Sequence, residues 1–273
     1  MINIEEEYIG LMSGVLYGGK EKKDRTGTGT RSVFGRMLRH DMSLGFPLLT
    51  TKKLYFNHAI TELLWILSGR TDLEYLHRHG VMYWDADYKR SGRTDGTLGR
   101  IYGYQWRNFS GIDQLAMVVR GLVEDPTSRR LMVNAWNPSD LTDMVLPPCH
   151  YGFQVYSRGE QIDLIWQQRS ADIFLGLPYD IAMYGLLLEM LAKGVKMKAG
   201  QLICSLGDCH LYNNHIEQAK LQLSRKIKEL PQVLLNKGIV WKNNKILLPK
   251  HKDVTIINYK PHSNIKAKLS VGT

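Results

Sequence analysis

Cys149 stands in the run Leu146-Pro147-Pro148-Cys149-His150. Two prolines fix the backbone leading to its thiol, so the sulfur is held rather than mobile. Such a thiol can act as a nucleophile if nearby cations lower its pKa, and it can equally be an apolar filler of the core. His150 is its neighbour, but adjacent residues of a strand point to opposite faces, so the pair alone is no Cys–His dyad. Local spacing leaves both readings open. Arg129 and Arg130 follow Pro126-Thr127-Ser128 behind a helix. They suit the charged end of that helix or a bidentate phosphate clamp. Arg169-Ser170 closes a strand, and Arg25 lies in a loop. Phosphate and thiol are a consistent pair, because guanidinium groups that hold the one also stabilise the thiolate form of the other. Glu62, flanked by Leu63, Leu64 and Ile66, is an exposed helix carboxylate or an acid–base group in a cavity. Asp180 directly precedes the apolar run that begins at Ile181, where it reads as a helix N-cap.

Periodicity and punctuation outline the elements that must position these groups. Residues 5–18 read as an amphipathic helix and 20–30 as a loop rich in Gly, Thr and charge. Residues 32–44 alternate like a strand, and 47–52 form a turn. Asn57 is the expected N-cap of a helix carrying Ile60, Leu63, Leu64 and Leu67 and stopped at Gly69. A second amphipathic helix spans 113–124 and ends at Asp125-Pro126. Residues 131–136, 151–156 and 161–167 read as strands, and Ile181–Ala192 as the central apolar helix. Residues 216–223 are helical, and the tail from Lys228 is strand and turn, clearest at 254–257. Strands and helices mix without strict βαβ alternation, which predicts an α+β fold. No repeat or low-complexity linker divides the chain, so 1–273 reads as a single domain.

Composition narrows the class. The 273 residues are 44% hydrophobic and 23% charged, ordinary values for a globular protein, which excludes collagen, low-complexity disorder and a disulfide scaffold. The three Cys form no metal-type CxxC and fit a reducing compartment. The acidic start, Met1 to Glu7, is no signal peptide, and the run Ile181–Ala192, broken by Glu189, is too short to span a bilayer. The expectation is a soluble, cytoplasmic protein. A net charge of +10 suggests nucleic acid, but the Lys of the last fifty residues are scattered as on a solvated surface. Isolated Arg suit a small anionic substrate at least as well. A nucleic-acid-binding module would leave Cys149 and the separated Arg unexplained, and a Cys hydrolase would need a His and a third residue at the thiol.

Asp24-Arg25-Thr26-Gly27-Thr28-Gly29-Thr30 resembles the phosphate-binding loop of thymidylate synthases. Phe46–Lys52, Glu62–Trp65, Tyr102–Arg107, Ser128–Arg130 and Ala135–Pro138 are similar to further segments of that family, in the family's order. So are Pro147–His150, Gln168–Ser170, Asp172–Pro178 and Gly207–Tyr212. The resemblance implies a mixed β-sheet packed by helices, a homodimer formed through the sheet, and no metal. It implies 5,10-methylenetetrahydrofolate as the one-carbon donor and a 2′-deoxypyrimidine monophosphate as acceptor. Carried over by position, Cys149 attacks C6 of the base. Arg25, Arg169 and Ser170 hold the phosphate, joined by Arg129 and Arg130 of the partner subunit. His210 and Tyr212 bind the deoxyribose hydroxyl, and Glu62, Tyr102 and His150 organise proton transfer. Trp84, Leu146, Asp172, Gly176 and Tyr179 line the folate site.

One departure bears on the substrate. Asp180, in Tyr179-Asp180-Ile181-Ala182, stands where thymidylate synthases carry Asn. An amide meets both O4 and N3–H of uracil, whereas an ionised carboxylate only accepts. Cytosine offers its amino group, and its thiol adduct, protonated at N3, offers a second donor. The same exchange marks the deoxycytidylate hydroxymethylase branch of the family, a phage branch, so the resemblance extends to a phage-encoded enzyme acting in the host cytoplasm. The expected substrate is dCMP and the expected product 5-hydroxymethyl-dCMP or 5-methyl-dCMP; the alternative is dUMP converted to dTMP. Trp84 and the tail 259–266 resemble the parts that close a methylating site. Thr97 and Arg100 replace a usual Asp and Pro, and Ser270-Val271-Gly272-Thr273 runs past the usual end of that tail.

Overall fold

A computed structural model describes residues 3–271; Met1, Ile2, Gly272 and Thr273, which belong to the terminal segments read above, lie outside the described residues. The elements run α1 (Ile4–Gly18), β1 (Lys20–Lys22), β2 (Thr30–Asp41), α2 (Phe56–Leu67), α3 (Leu73–Arg78), α4 (Asp85–Ser91), α5 (Tyr102–Asn108) and α6 (Gln114–Glu124). They continue with β3 (Met132–Asn134), β4 (His150–Arg158), β5 (Gln161–Asp172), α7 (Leu177–Val195), β6 (Lys198–Tyr212), α8 (Ile216–Leu223), β7 (Gln232–Leu235), β8 (Val240–Lys242), β9 (Lys245–Leu247) and β10 (Val254–Ile257).

A six-stranded sheet in the order β1-β2-β6-β5-β4-β3 forms the frame. It is mixed: β5 and β6 run parallel, joined by α7 as a crossover, while β2 and β6, β4 and β5, and β3 and β4 pair antiparallel. Helices pack on it, as the α+β reading expects. The central helix is α7, because its sequence is apolar on nearly every side; Ile181, Leu186, Leu187, Leu188 and Leu191 are fully buried. Burying each such side chain contributes about 1.5–3 kcal/mol.

Several boundaries differ from the sequence reading, β5 running on to Asp172 among them, and three have a clear local cause. α7 begins at Leu177, with Gly176 as N-cap and Pro178 in its first turn, a position where proline's missing N–H costs nothing. Asp180 is therefore inside the first turn and not the N-cap, and its backbone N–H bonds to Gly176 O at 3.2 Å. α2 begins at Phe56 with no side-chain cap, and Asn57 lies within it. The start is set by packing, since Phe56 meets Phe46 edge-on at 5.1 Å. β2 stops at Asp41, whose carboxylate accepts from Ser43 N at 3.0 Å and turns the chain into a single 3-10 turn over Met42–Leu44.

The turn read at 47–52 is held by a buried charge. Glu5 of α1 is fully enclosed, and its carboxylate accepts from the Thr50 and Thr51 N–H groups at 2.7 Å each and from Thr50 Oγ1 at 2.8 Å. That carboxylate anchors the segment leading into α2. No helix among the described residues is long and apolar enough to cross a membrane.

Candidate active site

A cavity of about 680 Å³ opens where the C-terminal ends of the parallel strands β5 and β6 meet the start of β4. β5 supplies Gln168, Arg169, Ser170 and Asp172; β6 supplies His210 and Tyr212. The chain entering β4 supplies Leu146, Cys149 and His150, and the first turn of α7 with its N-cap supplies Gly176, Tyr179 and Asp180. Glu62 projects from α2, Tyr102 from α5, Trp84 from the start of α4, and Arg25 from the loop before β2. That loop is shaped by Asp24, which accepts from Thr26 N at 2.8 Å and Gly29 N at 2.7 Å. Gly29 has φ +78°, a conformation that favours glycine, and a Cβ there would lie 2.6 Å from Asn213 Nδ2, so that amide would have to move.

Every residue expected at the site lines this cavity except Arg129 and Arg130, which are exposed and lie outside it. Within one chain the anionic end of the cavity thus has Arg25 and Arg169 alone of the four expected Arg. Sequence reasoning missed Tyr83, Asp87, His58, Gln168 and Asp208, and the tail residues Leu269–Val271. Tyr83 precedes, and Asp87 lies within, a seven-residue helix too short to show a period; Gln168 was visible in a motif, with no sign of what it touches.

The thiol does not match the expectation that clustered guanidinium groups lower its pKa. Burial pushes Cys149 up to about 11; Arg169 and Arg25 pull it down, while Asp180 and Asp87 oppose them. Arg169 is held close by its own chain, donating to the carbonyls of Pro148 and Pro147 at 2.9 and 2.8 Å. Tyr102 Oη accepts from the Cys149 N–H at 2.9 Å, fixing the backbone behind the sulfur. His150 forms no dyad: its Nδ1 meets the Tyr184 hydroxyl at 2.9 Å and its ring lies on that of Tyr102 at 4.2 Å. Burial lowers its pKa to about 3, so the imidazole is neutral.

Of the carboxylates that line the cavity, Glu62, Asp172 and Asp180 sit in different surroundings. Glu62 accepts from Tyr83 Oη at 2.6 Å and from Trp84 Nε1 at 3.0 Å; burial nevertheless raises its pKa. Asp172 accepts from Phe174 N at 3.0 Å and Leu175 N at 3.1 Å, which makes it the brace of the turn into α7. Asp180 accepts from Gln168 Nε2 at 2.8 Å. Burial pushes its pKa up to about 7, with Glu62 and Asp172 adding to the rise and the Gln168 hydrogen bond opposing it.

That shift predicts a pH-dependent stability effect. The folded carboxyl titrates near 7 rather than at 3.8, so between these values the native state holds a proton that the unfolded chain has released. Its contribution is whole below about pH 4 and fades as pH rises through 7. Asp180→Asn should therefore raise the melting temperature of the ligand-free protein by several degrees at pH 8 and change it little at or below about pH 4, as read by calorimetry.

The tail crosses the cavity mouth. Arg225 donates to Ser263 O at 2.6 Å, His215 Nε2 meets Lys268 O at 2.8 Å, and Arg25 Nη1 donates to Val271 O at 3.2 Å, joined there by Arg90. Thr97 and Arg100 lie outside the lining; Arg100 donates to Asp140 at 2.8 Å. No cluster of three metal-ligating side chains occurs among the described residues. A thiol, two guanidinium groups, the polar side chains of His210 and Tyr212 and several carboxylates in one cavity suit covalent addition to a small phosphorylated ring. Compared with known protein families, residues 6–271 match the model of one described as thymidylate synthase.

Proposed function

The chain belongs to the thymidylate synthase family, and on that premise we propose that it transfers a one-carbon unit from 5,10-methylenetetrahydrofolate to C5 of dCMP. The family implies a folate-dependent pyrimidine nucleotide methyltransferase; the proposed base is cytosine and the proposed product 5-hydroxymethyl-dCMP. The observation that carries it is Asp180, an acceptor-only carboxylate when ionised, lining the same cavity as Cys149 and Arg169.

The Cys149 sulfur bonds to C6, and the ring electrons pass to C5, which attacks the methylene carbon of the folate iminium. C5 then loses its proton and tetrahydrofolate departs, leaving an exocyclic methylene. Water adds to that carbon, and expulsion of Cys149 yields 5-hydroxymethyl-dCMP; hydride from the folate would give the methyl product instead. Glu62, Tyr102 and His150 order the proton network around the ring. Arg25, Arg169 and Ser170 receive the phosphate, with Arg25 exchanging the Val271 carbonyl for it. His210 and Tyr212 take the sugar hydroxyl, while Trp84, Leu146, Asp172, Gly176 and Tyr179 contact the folate. The positive charge of the chain suits both anions.

The phosphate site needs a second copy. Arg129 and Arg130 are exposed, and so are Phe34, Met37, Met132 and Tyr156 on the sheet, a set of apolar side chains suited to pairing with another subunit. Arg130→Ala and Cys149→Ser chains, each nearly inactive alone, should recover about one quarter of wild-type activity when co-assembled, since a mixed dimer keeps one intact site.

Parallel assays with dCMP and dUMP, following release of tritium from C5, test the substrate. Faster release from dUMP would overturn the choice of base. Mass spectrometry of the product separates the two outcomes, and 5-methyl-dCMP would overturn hydroxymethylation.

A further inference from the structure

Trp166 lies beneath the cavity on β5, two positions before Gln168 and fully buried. Its indole Nε1–H donates to Gln168 Oε1 at 3.1 Å. At the other end of that amide, Nε2 donates to Asp180 Oδ2 at 2.8 Å and to Ser170 O at 3.0 Å. Only one orientation of the amide satisfies all three contacts. Turned over, Gln168 would set its carbonyl against two oxygens and its NH₂ against the indole N–H. Both N–H groups of Gln168 are thereby engaged, so the amide has no hydrogen left for a bound base and acts through Asp180.

The Trp166 ring has a second, separate contact. It stacks on Tyr184 at 4.9 Å with an interplanar angle of 6°, and Tyr184 in turn meets His150. That contact runs through the ring face and does not need the N–H. Phenylalanine at this position would keep an aromatic ring and remove the donor.

We propose that Trp166 is a positioning residue for base selection: its indole N–H sets the Gln168 amide so that an N–H, and not a carbonyl, faces Asp180, which leaves the remaining carboxylate lone pairs aimed at the donor edge of cytosine. Without the indole donor, Gln168 Oε1 is a buried acceptor with no partner. The amide then shifts to find one, and its hold on Asp180 loosens. The inference rests on the reading of Asp180 as the group that faces the base.

The test compares kcat/KM for dCMP and dUMP in the wild type, in Trp166→Phe, and in Trp166→Phe combined with Asp180→Asn. In Trp166→Phe the dCMP-to-dUMP ratio falls about tenfold, while the rate of Cys149 alkylation by iodoacetamide stays within about twofold. In the Asp180→Asn background the same substitution leaves the ratio unchanged, because the group through which it acts is gone. Gln168→Met, which removes the amide but keeps the volume, reads the same ratio if Trp166→Phe does not fold. Equal losses for both nucleotides, an unchanged ratio, or additive effects in the double variant overturn the assignment. A wild type that prefers dUMP overturns both this inference and the dCMP reading; a wild-type dCMP preference that is undiminished in Trp166→Phe overturns only the role of Trp166.

Discussion

Cys149→Ser is expected to lower turnover by about 10³-fold or more while leaving nucleotide binding largely in place. A hydroxyl is a far weaker nucleophile than a thiolate, and the Pro147-Pro148 approach and the Tyr102 hydrogen bond hold it in the same place. Denaturing mass spectrometry of the wild type trapped with nucleotide and folate should show a covalent adduct that the serine variant lacks. In the ligand-free chain the thiol titrates near 11, so alkylation by iodoacetamide should be slow at pH 7 and accelerate as pH rises. Arg169 and Arg25 already pull the pKa downward, and the cations that the proposed second subunit would bring would act in the same direction. Product formation that continues undiminished in Cys149→Ser would remove the covalent step from the mechanism.

The second large effect concerns the base. Asp180→Asn should shift the dCMP-to-dUMP ratio of kcat/KM toward dUMP by about 10- to 100-fold, the effect of exchanging an unpaired buried acceptor for a matched amide. The wild-type ratio should also change with pH. A neutral Asp180 carboxyl can donate to O4 and accept from N3–H, so it admits uracil; an ionised one only accepts, and it favours cytosine protonated at N3. Because the group titrates near 7, discrimination in favour of dCMP should grow between pH 6 and pH 8 and become flat in Asp180→Asn. A ratio that is independent of pH in the wild type would disconnect Asp180 from base choice.

Much of this site was legible before any coordinates, because its groups sit in short segments with distinctive composition. Cys149 behind two prolines, Arg169-Ser170 at a strand end and Glu62 among leucines all reach one cavity. The long periodic elements were also readable: α8 and β10 match the residues read, and α6 differs from the helix read over 113–124 only in that Asp113 caps it, accepting from Ala116 N at 2.9 Å. What was not legible depended on tertiary context. α3, α4 and α5 span seven residues or fewer, under two turns, so no face repeats within them. The fifteen-residue β6 went unread although Leu202, Cys204 and Leu206 alternate inward; Gly207 breaks the phase before Cys209 and Leu211 resume it. Asp180 looked like a cap because the helix was judged to begin where its apolar run begins, whereas Gly176 and Pro178 start it earlier. The pKa of Cys149 could not be read from charge counts, since burial and two facing carboxylates outweigh the Arg.

The pairing of β2 with β6 sets a schedule for synthesis. Thr30 lies opposite Tyr212 and Asp41 opposite Gln201, so the strand that follows the Arg25 loop has no such neighbour until residues 201–212 of the 273 have been translated. On the ribosome β2 must wait with that hydrogen-bonding edge unmatched, and the pocket cannot assemble piecemeal as the polypeptide emerges. Nascent chains arrested before residue 201 should accordingly lack protease resistance in this strand, and cells making this protein quickly should place a heavier demand on their chaperones.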